Sequence, residues 1–114
     1  IMSNDLSEKK CIPCEGGIPP FNVEKIQDFL KKIDGWNVKE NEPSEFYLFK
    51  EFKFKNFVQS QDFVNAVGLI AENESHHPDL SFGWGYASIK IFTHAIKGLA
   101  ESDFILASKI DKIS

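Results

Sequence analysis

The chain has 114 residues with a hydrophobic fraction of 42%, which suits one globular domain with a modest core and excludes a disordered chain. With 13 basic and 17 acidic residues the net charge is −4, which argues against a nucleic-acid-binding protein because that class needs a concentrated basic face. No apolar run approaches the roughly 20 residues that span a bilayer, and the polar start IMSNDLSEKK does not resemble a signal peptide. We therefore expect a soluble, cytoplasmic protein.

Both cysteines, Cys11 and Cys14, lie in the stretch CIPCEGGIPP. A Cys-x-x-Cys pair is compatible with redox chemistry or with half of a zinc site. No strand pattern precedes the pair, as a thioredoxin-like motif would require, and a structural zinc would need two further ligands. We interpret residues 11–20 as an ordered arm with reduced thiols, and a disulfide or a metal stays open as the alternative. The arm divides a single domain, 1–114, into a flexible N-terminus (1–10) and a core (21–114).

Three stretches carry apolar residues at helical spacing. The first helix is predicted to begin after the N-cap Asn22 and to end at residues 34–35. The second begins after Asn56 and is finished before Pro78, because proline disfavours helical backbone in the residue before it. The third covers AESDFILASKIDKI, and since its N-cap position is an alanine, we expect Asp103 to support the helix start through the dipole.

Alternating patterns predict four strands in two hairpins. WNV and FYLFKEFKF flank the turn NEPSE, and strands near 80–85 and 87–93 flank a tight turn at Gly85-Tyr86. The resulting order predicts an α+β fold, α-β-β-α-β-β-α, with a four-stranded antiparallel sheet and three helices packed on one face. The uncovered face and sheet edges favour a homodimer or homotetramer. The solvated face of the second strand is expected to carry three lysines: Lys50, Lys53 and Lys55.

All three histidines of the chain are predicted to meet at one end of the sheet. His76 and His77 follow the second helix, and His94 ends the last strand, so the out-and-back path of two strands returns His94 near the pair. Glu72 lies one helical turn before His76, and Asp103 starts the helix after His94, so each carboxylate is placed to orient one imidazole. Because imidazole titrates near neutral pH, the cluster predicts acid–base catalysis.

An apolar wall for a flat ligand is expected from Trp84 and Phe82 on the intervening strand, and Pro78 beside the histidines is expected to contact the same ligand. The alternative for Trp84 is a place in the core, which is the commoner role of a tryptophan. A single exposed histidine usually has no function, so the prediction depends on the convergence of all three.

HHP followed by Trp84, His94 and Asp103 at these spacings resembles the signature of the pterin-4a-carbinolamine dehydratases. PCEGGIPP, GW, FKEFKFKNF and GLAESDFILASKID extend the resemblance over nearly the whole chain from Cys11, and the arm resembles the microbial and plant branch. The resemblance implies dehydration of 4a-hydroxytetrahydropterin (4a-hydroxytetrahydrobiopterin) to a quinonoid dihydropterin. This reaction recycles the pterin cofactor of aromatic amino acid hydroxylases.

The same resemblance implies an enzyme that uses no metal and no organic cofactor. It assigns catalysis to His76, His77 and His94 and supporting roles to Glu72 and Asp103, with Trp84 at the aromatic position of the motif. We expect His76 and His94 to be the acid–base pair, with a positioning role for His77.

Two other functions stay open. Three imidazoles and a water can form a zinc hydrolase site, although adjacent ligands such as His76 and His77 fit that geometry poorly. Alternatively, the chain is a non-catalytic binding or dimerisation module of the same fold, since animal members of the family also act as dimerisation partners of a homeodomain transcription factor.

Overall fold

Three helices and four strands alternate along the chain in a computed structural model that describes residues 6–11 and 18–114. The predicted α+β fold and its element order are confirmed. The helices are α1 (Val23–Leu30), α2 (Phe57–Glu74) and α3 (Glu101–Ile113), and the strands are β1 (Asn37–Glu40), β2 (Phe46–Lys53), β3 (Asp79–Gly83) and β4 (Tyr86–Ile91). Two short 3₁₀ helices, Leu6–Glu8 and His94–Ile96, complete the described structure.

The four strands form one antiparallel sheet in the order β1-β2-β4-β3. Alternate residues of β4 show which face the helices cover: Ala87, Ile89 and Ile91 have no exposed surface, whereas Ser88 and Lys90 are half-buried on the other face. Because side chains alternate across a strand, the core lies on one face of the sheet, against α2 and α3, as predicted.

Side-chain caps begin the first two helices where the sequence placed them. The Asn22 Oδ1 accepts the Lys25 N–H at 2.8 Å, and the Asn56 Oδ1 accepts the Gln59 N–H at 2.9 Å. The predicted end of α1 at residues 34–35 was wrong, because the helix ends at Leu30. There the chain tightens into turns with hydrogen bonds to carbonyls three residues back, which 3₁₀ geometry favours at helix ends.

Lys50 lies on the covered face of the sheet, so its predicted place on the solvated face was wrong. Its side chain is only 18% exposed, and its Nζ lies 2.9 Å from the Asp111 carboxylate and 2.6 Å from the Asp34 carbonyl oxygen. The strand alternation points this lysine inwards, and the carboxylate compensates its charge there. Lys53 and Lys55 are exposed, as predicted.

Residues 6–11 pack against α3, whereas the whole stretch 1–10 was expected to be flexible; residues 1–5 lie outside the described residues. Leu6 is buried in the core, the Cys11 N–H donates to the Glu74 carboxylate at 2.8 Å, and the Cys11 Sγ donates to the Ser102 carbonyl oxygen at 3.5 Å. Burial, reinforced by the Glu74 charge, raises the pKa of the Cys11 thiol to about 12. Cys14 and most of the predicted Gly-Pro arm lie outside the described residues.

Within residues 6–11 and 18–114, no helix combines the length and the apolar character that crossing a membrane requires.

Candidate active site

The end of α2 directs the two adjacent histidines to different places. Ser75 adopts a left-handed conformation, φ 53°, and its N–H and that of His76 bond back to the last turn of the helix, a helix end of the Schellman type. Pro78 then restricts His77 to extended backbone. The chain therefore reverses direction at Ser75, and the two imidazoles diverge.

His76 is held by a buried carboxylate. Its Nε2 lies 2.7 Å from the Asp103 Oδ1, and Asp103 has no exposed surface. The other oxygen, Oδ2, accepts the Thr93 hydroxyl and the Ala100 N–H, each at 2.8 Å. Asp103 therefore supports the start of α3 by a direct hydrogen bond as well as by its charge, and it orients His76 from a fixed position.

His77 has an exposed partner instead. Its Nε2 lies 2.8 Å from the Glu72 carboxylate, and the two side chains are 64% and 81% exposed. An ion pair in such a position contributes little, about 0–1 kcal/mol. The predicted pairings, Glu72 with His76 and Asp103 with His94, were wrong because the reversal at Ser75 turns His76 towards α3 and brings His77 back to Glu72.

The sequence predicted that His94 ends a strand, and this prediction was wrong. The strand β4 ends at Ile91, and the Thr93 N–H bonds to the Gly98 carbonyl oxygen at 2.8 Å, closing a loop in which His94 begins a 3₁₀ turn. The His94 ring stacks on Phe92, with centroids 4.2 Å apart and an interplanar angle of 24°. Neither of its ring nitrogens is hydrogen bonded to another residue in the part of the chain that is described.

All three histidines line one cleft of about 250 Å³ between the end of α2 and the loop after β4. Its remaining lining residues are Ser75, Phe92, Thr93 and Ala95. Phe92, which follows the last residue of β4, was missed from the sequence, and its stacking on His94 is what places it in the cleft. Thr93 acts by donating to Asp103, and no sequence pattern indicates that contact.

The residues expected to form the apolar wall are not in this cleft. Trp84 is 72% exposed in the turn between β3 and β4, at the opposite end of that hairpin. Phe82 packs against Phe57 of α2, with ring centroids 5.5 Å apart. Pro78 follows His77 but does not line the cleft. Among the residues that the structure describes, Phe92 is the aromatic side chain that lines the cleft beside the histidines.

The geometry of the cleft also bears on metal binding. His76 and His77 each direct Nε2 to a different carboxylate. Across residues 6–11 and 18–114, no group of three or more His, Cys, Asp or Glu side chains is arranged to hold a metal ion.

Comparison with known proteins identifies the family of this fold and cleft. The family model described as pterin 4 alpha carbinolamine dehydratase matches residues 19–113. A curated protein of Rubrobacter xylanophilus, provisionally named pterin-4-alpha-carbinolamine dehydratase, is 46% identical over 110 residues, which cover 96% of this chain and 99% of that protein. The chain belongs to the pterin-4-alpha-carbinolamine dehydratase family.

Solved structures show the same fold. A protein from Brucella melitensis, described as a transcriptional coactivator/pterin dehydratase, is 26% identical with a TM-score of 0.73, covering 82% of this chain and 97% of its own. A pterin dehydratase-like protein described as a RuBisCO assembly factor of the alpha-carboxysome is 24% identical with a TM-score of 0.59, covering 69% of this chain and 88% of its own. At that identity the second likeness shows the fold alone.

Proposed function

We propose that the chain catalyses the dehydration of a 4a-hydroxytetrahydropterin to a quinonoid dihydropterin and water, and so recycles the pterin of an aromatic amino acid hydroxylase. Family membership supports the substrate class. The observation that carries the proposal is the His76–Asp103 pair, which opens on a cleft that His94 also lines. The reaction needs one group to remove a proton from N5 and another to protonate the departing 4a-hydroxyl.

His76 is the base in this mechanism. The Asp103 carboxylate can only accept hydrogen bonds, so the His76 Nε2 carries the proton and its Nδ1 keeps a lone pair. That lone pair removes the N5 proton as the C4a=N5 double bond forms. The imidazolium that results is stabilised by Asp103, as in other histidine–carboxylate pairs.

His94 is the acid. Neither of its ring nitrogens has a partner among the described residues, and its position at the exposed edge of the cleft allows it to take up a proton from water. Stacking on Phe92 fixes the plane of the ring, so the protonated imidazole is directed by packing rather than by a carboxylate. It donates its proton to the 4a-oxygen, which leaves as water. His77, paired with exposed Glu72, contributes to positioning.

Rapid-mixing measurements of a chemically generated carbinolamine test this function. Absorbance reports quinonoid dihydropterin formation, and the catalysed rate is the excess over spontaneous dehydration. We expect wild-type protein to accelerate the reaction, and His76→Ala to lose roughly 10²–10⁴-fold of that acceleration. The matched control is His77→Ala at the adjacent exposed position, which should stay within a few-fold of wild type. A wild-type rate equal to the spontaneous rate would refute the proposal.

Metal analysis separates this mechanism from a zinc hydrolase. The protein should be purified without a histidine tag, because a tag carries metal of its own. We expect substoichiometric zinc and unchanged turnover after chelation. One zinc per chain, together with activity lost on chelation, would replace the proposed mechanism with a metal-dependent one.

A further inference from the structure

A second cleft lies on the other side of His94. It also has a volume of about 250 Å³, and it shares Phe92 and His94 with the histidine cleft. Phe46 and Tyr47 at the start of β2 form its other aromatic walls. Ligand pockets usually have volumes of about 300–1,000 Å³, so either cleft alone is small for a substituted pterin, whereas the two together are large enough.

The charges of the second cleft favour an anionic ligand. Two lysines, Lys90 and Lys97, line this cleft, and Glu45 is the one acidic residue among its lining residues. The Lys90 Nζ lies 4.3 Å from the Tyr47 ring centroid and 5.5 Å from that of Phe92, so a cation is held directly over the aromatic walls. Aromatic walls next to ammonium groups match a ligand that has an aryl ring and carboxylates.

Lys97 occupies a backbone conformation that a lysine rarely adopts. Its φ is 51°, in the left-handed region, where its N–H closes the 3₁₀ turn on the His94 carbonyl oxygen. Glycine and asparagine adopt this conformation more readily. A lysine at this position is therefore not explained by the turn, and backbone strain of this kind concentrates at functional positions.

The covalent structure of a pterin connects the two clefts. In the ring, N5 lies between C4a and C6, so the C6 substituent leaves the ring beside the two reacting atoms. If N5 and C4a lie between His76 and His94, as the proposed function requires, the substituent leaves the ring inside the histidine cleft, one bond from N5. The second cleft adjoins the histidine cleft along the shared wall of His94 and Phe92 and supplies the volume that the substituent needs.

We propose that the second cleft binds the C6 substituent of the pterin and selects reduced folates, whose substituent is an aminobenzoyl ring bearing glutamate carboxylates, over pterins with a short polyol. The aminobenzoyl ring packs between Tyr47 and Phe92, and the carboxylates meet Lys90 and Lys97. This inference rests on the proposed function for the placement of the pterin ring in the histidine cleft.

Calorimetric binding of 7,8-dihydrofolate and 7,8-dihydrobiopterin tests the inference without turnover. We expect dihydrofolate to bind about tenfold more tightly at low ionic strength, because an aryl contact and an exposed charge pair each contribute a factor of a few. The preference should fall as salt is added. Lys97→Asn removes the cation and suits the left-handed backbone, so it should fold and weaken dihydrofolate binding about two- to fivefold.

Two further variants make the result specific. Tyr47→Ala removes an aromatic wall on the open face of the sheet and should abolish most of the remaining preference. Lys55→Asn makes the same charge change as Lys97→Asn on an exposed residue beyond the far end of β2, and it should leave both affinities unchanged. Dihydrobiopterin binding should change much less than dihydrofolate binding in Lys97→Asn and Tyr47→Ala, because its short polyol meets neither the ammonium group nor the full aromatic wall.

The outcomes separate this inference from the proposed function. If dihydrobiopterin binds and the carbinolamine is turned over but dihydrofolate shows no preference, the second cleft is not a folate site and the dehydratase function stands. A preference that survives both Lys97→Asn and Tyr47→Ala would place the substituent elsewhere and overturn the inference. If neither pterin binds and there is no turnover, both proposals fail.

Discussion

Replacing Asp103 with asparagine tests the most specific feature of the proposed mechanism. The carboxylate accepts three hydrogen bonds, from His76, Thr93 and Ala100, but an amide has only one oxygen. Because the Ala100 N–H is a fixed donor, the amide oxygen must face it, and the amide NH₂ must then face His76. The His76 Nε2 becomes an acceptor, and the ring proton moves to Nδ1, the nitrogen proposed to act as base.

The expected effects on rate and stability differ in size. Loss of the base should lower the catalysed rate by roughly 10²–10⁴-fold, as for other catalytic histidines that an amide partner holds in the wrong tautomer. The buried charge-assisted hydrogen bonds become neutral ones, which should cost about 1–3 kcal/mol of the free energy of unfolding. For a chain of this size the melting temperature should fall by several degrees for each kcal/mol, and thermal unfolding shows whether the variant is folded at the temperature of the assay.

The assay combines rapid-mixing turnover with thermal unfolding and dihydrobiopterin binding. We expect Asp103→Asn to bind the pterin with little change while its kcat falls. Thr93→Val is the matched control, because it removes one donor to the same carboxylate, at a cost of about 0.5–1.5 kcal/mol, without altering the His76 tautomer. Turnover of folded Asp103→Asn within a few-fold of wild type, or an equal loss in Thr93→Val, would refute the reasoning.

Four further results are expected. His94→Ala should fold, bind oxidised pterin with modest loss and show almost no activity above the spontaneous rate; near-normal turnover would remove His94 from the mechanism. In a Cys14→Ser protein, Cys11 should resist alkylation at pH 8 because burial raises its pKa to about 12, and mass spectrometry should show labelling only in denaturant; rapid native labelling would contradict this. Gly68→Ala should raise the free energy of unfolding by about 0.5–1 kcal/mol with unchanged turnover, because a Cβ added at this helical position meets no atom within 4 Å. Chemical denaturation measures this free energy, and a loss of stability would contradict the prediction. Light scattering should give a mass well above the 13.0 kDa of one chain, because the sheet has open edges; a monomer at micromolar concentration would contradict self-association.

The fold was predictable because its determinants are local. Strand alternation and the Asn22 and Asn56 caps are readable within a few residues, and the structure bears them out. Lys50 was misplaced although strand alternation puts it on the same face as buried Leu48 and Phe52. A lysine is tolerated there because of Asp111, which is 61 residues away in the sequence, and a local pattern does not show such a partner.

The histidines of the candidate site were predictable, but its aromatic wall and the pairing of its side chains were not. The two-strand path from His77 to His94 is a matter of topology, and the structure brings all three histidines to one cleft. Which imidazole meets Asp103 depends on the left-handed turn at Ser75, and a serine does not signal that conformation as a glycine would. Trp84 was misplaced for a different reason, since the predicted hairpin already had its turn directly after this residue, and that turn lies at the end of the hairpin away from the histidines.

The position of Asp103 makes stability and catalysis depend on the same side chain. Removing the carboxylate altogether would leave the Thr93 hydroxyl and the Ala100 N–H buried without an acceptor, so an alanine variant would report helix damage as much as chemistry. The N-terminal segment adds to this coupling. Its Cys11 bonds both to Glu74, two residues before His76, and to Ser102, one residue before Asp103. The elements that carry the His76–Asp103 pair are thus joined by the pair itself and again by Cys11, whereas the exposed His77–Glu72 pair has no comparable support from residues 6–11 or 18–114. This difference in rigidity is the physical reason for assigning the base to His76 and only a positioning role to its neighbour.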